Sequence, residues 1–234
     1  MTSDDVSDRG ISDLAARVET IQEAITYSRQ FRNRWFVVHL SPSSVDAVPF
    51  SQDLRLLRSL AIHVAVVVAE DAYPEPESLG VDLRKALNRD EITAVVLHWE
   101  ETRSDDFPLR RPTRWQEVAE NSSLIVLIRC ARRNSLRAAQ TLAIECAAAK
   151  LLLLEREWDP AALPMGGPGS TRPSAEEVRP FLRSLNQGAA AAAIAVESVE
   201  AGIDEAHIVP TNENPHPILV EIFTDSGIGT WIGP

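Results

Sequence analysis

The chain has 234 residues, 44% hydrophobic and 24% charged, which is enough to bury a sizeable core in one large domain or two tightly joined lobes. A formal net charge of −11 argues against nucleic acid or an anionic membrane as a partner, and the two cysteines, Cys130 and Cys146, make neither a disulfide framework nor a zinc motif. The opening MTSDDVSDRG is too acidic and polar for a secretory signal, and the apolar runs are too short to cross a bilayer, so the expected compartment is the cytoplasm.

Residues 1–10 read as a disordered arm, followed by a single domain over 11–234. Leu14, Val18, Ile21, Ile25 and Phe31 recur at helical spacing, which predicts an amphipathic helix over 11–31 with Ser12 as a candidate N-cap. A buried strand follows at 35–40, then a helix over 51–60 and a second apolar strand, IHVAVVV, at 62–68. The alternation continues with a helix near 83–87, a strand at 93–98, a helix near 115–120 and a strand at 124–128. An alanine-rich helix over 136–149 leads into a strand at 150–154. Residues 160–173 form a proline- and glycine-rich loop, after which Ser174 and Glu177 have the spacing of a capping box. The alanine run at 189–193 belongs to another helix, and the last part predicts two strands, 206–209 and 218–223. Apolar β-branched strands alternating with helices imply a parallel sheet covered on both faces.

Three stretches carry a resemblance: EAITYSRQFRNRWFVVHL (23–40), QDLRLLRSLAIHVAVVV (52–68), and ESVEAGIDEAHIV with PHPILVEIFTDSGIGTWI (197–232). Together they resemble the N-acetylglutamate kinase family, and the N-terminal domain of N-acetylglutamate synthases shares much of the pattern. The resemblance implies the amino-acid kinase fold, a three-layer α/β/α sandwich with an open, mostly parallel sheet. Its N-lobe would cover about 32–130 and its C-lobe about 131–234.

The same resemblance exposes what is missing. Phosphoryl transfer is mostly positioning and electrostatic stabilisation, and needs glycine loops close to the phosphates and lysines to balance their charge. Where the family has a lysine and two glycines after the first strand, this chain has His39, Ser41 and Pro42. After the second strand stands AEDAYPEPE in place of a second glycine run, and the family's second lysine falls near Ala191. No catalytic aspartate aligns within 132–136. A degenerate kinase without phosphoryl transfer is therefore expected, with no catalytic residue, no metal set and no cofactor. A divergent kinase would need a lysine from elsewhere, such as Lys85 or Lys150.

Several local motifs carry no chemistry on their own. MGGPGS at 165–170 lacks a P-loop ending, and DEAH at 204–207 has no P-loop with it. His39, His63 and His98 lack metal-ligand spacing, no nucleophile elbow surrounds Ser41, Ser43 or Ser44, and Asp53 reads as a helix cap or a solvated residue.

In the arginine-inhibited members of the family, the effector lies between the N-terminal helix and the C-terminal signature. The matching residues here are Tyr27, His216, Glu221, Phe223, Thr224, Gly227 and Gly229. A guanidinium suits a carboxylate such as Glu221, the glycines permit a tight turn, and Tyr27 offers a ring and a hydroxyl. The expected role is a regulatory protein that senses arginine or a related amino acid. It would assemble with itself through the N-terminal helix, or with an active kinase or synthase of arginine biosynthesis. The alternatives are a ligand-free scaffold, or a detached regulatory domain of a synthase, since the chain stops at GTWIGP where a transferase domain would follow.

Overall fold

The structure is a computed structural model. It describes residues 26, 28–42, 44–70, 78–89, 91–99, 124–163, 173–185, 188–212, 214–224 and 227–234. The predicted N-terminal arm, nearly all of the predicted N-terminal helix and the predicted helix near 115–120 lie outside the described residues.

The strands are β1 (Trp35–Leu40), β2 (His63–Glu70), β3 (Ala94–His98), β4 (Ile125–Ala131), β5 (Lys150–Glu155), β6 (Glu205–Pro210) and β7 (Thr230–Ile232). The helices between them are α1 (Ala47–Ser59), α2 (Leu79–Arg89), α3 (Arg132–Glu145), α4 (Ala175–Val178), α5 (Ala189–Glu200) and α6 (Pro217–Phe223). One sheet has the order β3-β4-β2-β1-β5-β6-β7. All neighbours are parallel except β7, which runs antiparallel to β6. Every residue of β1 and β2 is buried, as expected for central strands covered on both faces.

Alternate side chains along the strands feed two separate cores. Phe36, Val38, Val66 and Leu152 pack on one face with Phe50, Leu54 and Leu57 of α1, Leu83 and Leu87 of α2, and Ile218 of α6. Val37, Val67, Ile128 and Leu153 pack on the other with Ala138 and Leu142 of α3 and Ala195 and Val199 of α5. The mostly parallel three-layer sandwich is thus present, and the period-2 pattern of the strands is its cause.

Some boundaries differ from the sequence reading. The alanine-rich helix starts four residues earlier, at Arg132, because β4 runs into it without a loop, and it closes where Ala147 turns to φ 47°. The Ser174 hydroxyl accepts from the Glu177 amide and the Glu177 carboxylate accepts from the Ser174 amide, completing the capping box. That helix tightens into a 3₁₀ turn, Arg179–Ser184, where Pro180 removes an N–H. The predicted strand over 218–223 is helix α6 instead. Pro217 presets its first turn, and Pro217, Ile218, Glu221 and Ile222 are buried at helical spacing, which the apolar run PILV disguised. The chain closes with β7, where the sequence reading assigns no element.

Candidate functional site

β1 and β5 are neighbours, but the chain leaves them toward opposite faces of the sheet. β1 leads into α1 in one core, and β5 leads toward Trp158 and α4 in the other. Such a divergence opens a crevice at the C-terminal ends of the strands, where open α/β sheets bind ligands. A cavity of about 920 Å³ occupies this place. Its walls bring together His39, Ser41, Pro42 and Ala191, the four positions that the resemblance aligns with lysines and glycines. They are joined by Glu155 from the end of β5 and by Arg132 and Ser135 from the first turn of α3.

Burial in this crevice sets the charge states. His39 is 2% exposed, and burial pulls its pKa down to about 3, so the imidazole is neutral. Its Nε2 lies 2.9 Å from Ser135 Oγ, while Nδ1 has no hydrogen-bond partner. Burial raises the pKa of Glu155, opposed by the Ser41 hydroxyl and the Arg132 charge. Helices α3 and α5 both start at the cavity, and neither has a side-chain cap or an acidic residue in its first turn. The residues that would otherwise supply a lysine are held elsewhere. Lys85 pairs with Asp82 on the exposed face of α2. Lys150 is buried at the other end of β5, paired with Glu205 and lying 4.9 Å from the centre of the Phe31 ring. Glu70 is also unavailable, because Arg129 grips it with two buried hydrogen bonds of 2.7 and 2.8 Å.

The C-terminal signature forms a second polar cluster. Glu221 Oε1 lies 2.7 Å from His207 Nδ1, and Oε2 accepts from the amides of Ile228 (2.8 Å) and Gly229 (2.7 Å). Burial pushes its pKa up, but His207 and the two amides outweigh that and hold it below the usual value. His207 Nε2 in turn faces Glu205 Oε2, which also pairs with Lys150. Burial likewise opposes ionisation of Glu205, yet His207 and Lys150 bring its pKa down to about 2. The glycines serve this clasp. A Cβ on Gly227 would stand 2.8 Å from Glu221 Oε2, and one on Gly229 would stand 2.5 Å from the Ile208 carbonyl oxygen.

His216 directly precedes α6 without a side-chain cap of its own and bonds Asp53 Oδ1 at 2.6 Å, while Asp53 also accepts from the amides of Ile218 and Leu219 in the first turn of α6. Burial raises Asp53 to a pKa of about 6, against the pull of His216. Asp53 is therefore a buried partner of the C-terminal helix, not a solvated residue of α1. The Thr224 hydroxyl donates to the Val220 carbonyl, and Phe223 packs against the core. Tyr27 lies outside the described residues.

Among the described residues no group of three or more His, Cys, Asp or Glu could hold a metal ion. No helix among them is long and apolar enough to cross a membrane. Cys130 and Cys146 are both buried in the core.

In shape the chain is similar to N-acetylglutamate synthase from Neisseria gonorrhoeae complexed with coenzyme A and N-acetyl-glutamate. The TM-score is 0.70 at 17% identity, over 93% of this chain and 63% of that one. The fold is acetylglutamate kinase/synthase-like. The same synthase complexed with coenzyme A and L-arginine gives a TM-score of 0.64 at 17% identity, over 92% of this chain and 65% of that one. In sequence, the chain is similar to acetylglutamate kinase of Leifsonia xyli subsp. xyli, with 35% identity over 106 residues. It is also similar to acetylglutamate kinase of Syntrophobacter fumaroxidans, with 50% identity over 38 residues. These matches cover 43% and 16% of this chain and only 34% and 12% of the relatives, and no family model matches.

The chain thus has this fold, with His39, Ser41, Pro42, Ala191 and Glu155 lining its strand-end crevice. Sequence reading located His39, Ser41, Pro42 and Ala191, but missed Glu155 and the pairing of His39 with Ser135. The available signal was a charged residue closing the apolar strand KLLLLE, where a parallel strand ends at its crevice.

Proposed function

We propose that this chain is a non-catalytic acetylglutamate-kinase-like protein that regulates arginine biosynthesis. On this reading it binds arginine or a related amino acid at its C-terminal signature, and assembles through its N-terminal helix. The observation that carries the loss of catalysis is the crevice lining. A neutral histidine, a serine, a proline and an alanine stand where phosphates need glycines and lysines, and Glu155 would repel the γ-phosphate. Each missing electrostatic contact of that kind costs about 10²–10³ in rate.

Arginine is favoured as effector by the match of His216, Glu221, Phe223, Thr224, Gly227 and Gly229 to the signature, together with Tyr27 in the N-terminal segment that resembles the family. A guanidinium would take Glu221 by displacing His207 from Oε1, since both amides use Oε2. A second reading, assembly without ligand, is favoured by that same completed clasp.

The experiment combines a phosphoryl-transfer assay with melting curves. ATP, Mg²⁺ and N-acetyl-L-glutamate should give no acyl phosphate. L-Arginine at about a hundredfold over its dissociation constant should stabilise by about 2.7 kcal/mol, whereas citrulline, lacking the charge, should do far less. Absence of any shift at about 10 mM arginine would leave assembly as the function. For assembly itself, Ile21→Asp with Ile25→Asp should lower the mass in light scattering. An unchanged mass would remove the helix from the interface.

A further inference from the structure

A polar seam crosses the sheet face that packs under α1, α2 and α6. Along β5 and β6, Lys150, Glu205 and His207 alternate in step with Leu152 and Val209, which puts all three side chains on that face. Lys150 and Glu205 are register partners and form an ion pair in which the lysine is 1% exposed. Lys150 Nζ also lies 3.3 Å from His207 Nε2, and His207 Nδ1 lies 2.7 Å from Glu221 Oε1. Glu221 Oε2 then holds the amides of Ile228 and Gly229. At the other end the Phe31 ring covers the Lys150 ammonium at 4.9 Å and packs edge-on against Phe36. Phe31 directly follows the helical residues 28–30 and is itself buried. The seam thus runs from the N-terminal segment through β5 and β6 to α6 and the turn after it.

Charges in this seam are compensated by one another, because burial keeps water from most of them. His207, Lys150 and the two amides hold Glu205 and Glu221 ionised against the cost of burial. In such a series each polar contact strengthens the next, so hydrating one end weakens the other. Phe31 is the member that a movement of the N-terminal segment removes. Without its ring, water reaches the ammonium, screens it from Glu205, and leaves that carboxylate to compete with Glu221 for His207. We propose that the seam couples the N-terminal segment to the C-terminal turn at 227–229. Docking of Phe31 tightens the Glu221 clasp, and by linkage the closed clasp favours docking of Phe31. The coupling needs no ligand and stands whether or not the C-terminal signature takes arginine.

The test is amide hydrogen exchange of the intact chain, parent against variants. Phe31→Leu keeps an apolar side chain and removes the ring face above Lys150. It should speed exchange at Ile228 and Gly229 at least about threefold more than at Val66 and Val67 of β2, which report opening of the whole sheet. Glu221→Gln should do the same to the amides of Phe31 and Arg34, which bond the Ser28 and Phe31 carbonyls. Asp204→Asn removes the exposed Arg34–Asp204 pair beside the seam and should leave Ile228 and Gly229 at parent rates. In urea unfolding, Phe31→Leu combined with Glu221→Gln should cost less than the two single losses summed. The proposal is overturned if either single variant speeds its distant amides less than about threefold relative to β2, or if Asp204→Asn acts as Phe31→Leu does. It is equally overturned if the two losses simply add.

Discussion

Glu221→Gln removes one charge from a carboxylate whose side chain is 4% exposed and which takes part in three hydrogen bonds. A buried hydrogen bond to a charged group contributes about 1.5–3 kcal/mol, and a neutral one about 0.5–1.5. The difference, about 1 kcal/mol per bond, amounts to about 3 kcal/mol over the clasp. Glutamine keeps an oxygen for the Ile228 and Gly229 amides, but its NH₂ meets His207 Nδ1 and forces the imidazole to change tautomer. For a chain of this size, about 3 kcal/mol lowers the melting temperature by about 6–12 °C at pH 7.

The pH dependence supplies an internal check. A carboxylate whose folded pKa is depressed stabilises above its unfolded value of 4.5 and loses that contribution as pH falls through the folded one. The gap between parent and variant should therefore be full at pH 7 and shrink in acid below 4.5. Differential scanning calorimetry across that range measures it. A variant melting within about 2 °C of the parent at pH 7 would mean that Glu221 is not clasped in solution. Its carboxylate would then be available to a ligand.

Arg129→Met strands the buried Glu70 carboxylate and should cost about 3–5 kcal/mol in urea unfolding, largely recovered by adding Glu70→Gln. If the double variant is no better than the single one, lost packing rather than lost charge pairing is the cause. His39 binds its proton less readily when folded, so it stabilises fully above 6.5 and loses that contribution as pH falls toward about 3. Its share of the loss between pH 7 and pH 5 is about 2 kcal/mol, and His39→Leu should abolish that share while leaving other titrations in place. Gly188 sits at φ +69°, and a Cβ there would stand 2.3 Å from the Trp158 ring, which Thr230 holds by a 3.0 Å hydrogen bond. Gly188→Ala should therefore cost at least about 3 kcal/mol by calorimetry, and a loss under about 1 kcal/mol would refute the packing at the start of α5.

The layered sheet was legible in the chain because its strands are continuous β-branched or leucine runs, and both faces of a parallel sheet demand that. WFVVHL, IHVAVVV and KLLLL could be placed without coordinates, as could the capping box at Ser174. That His39, Ser41 and Pro42 line the strand-end crevice was legible too, because a parallel strand's C-terminal end is a local feature. Helix α6 was not, since PILVEIF carries β-branched residues and only its burial spacing against α1 and β6 shows the helical period. Nor could the chain alone pair His39 with Ser135, Asp53 with His216, or Glu221 with His207, separations of 96, 163 and 14 residues. A carboxylate or imidazole reads the same in sequence whether it awaits a ligand or is already satisfied. That choice rests on burial and partner distance, which only the tertiary structure determines.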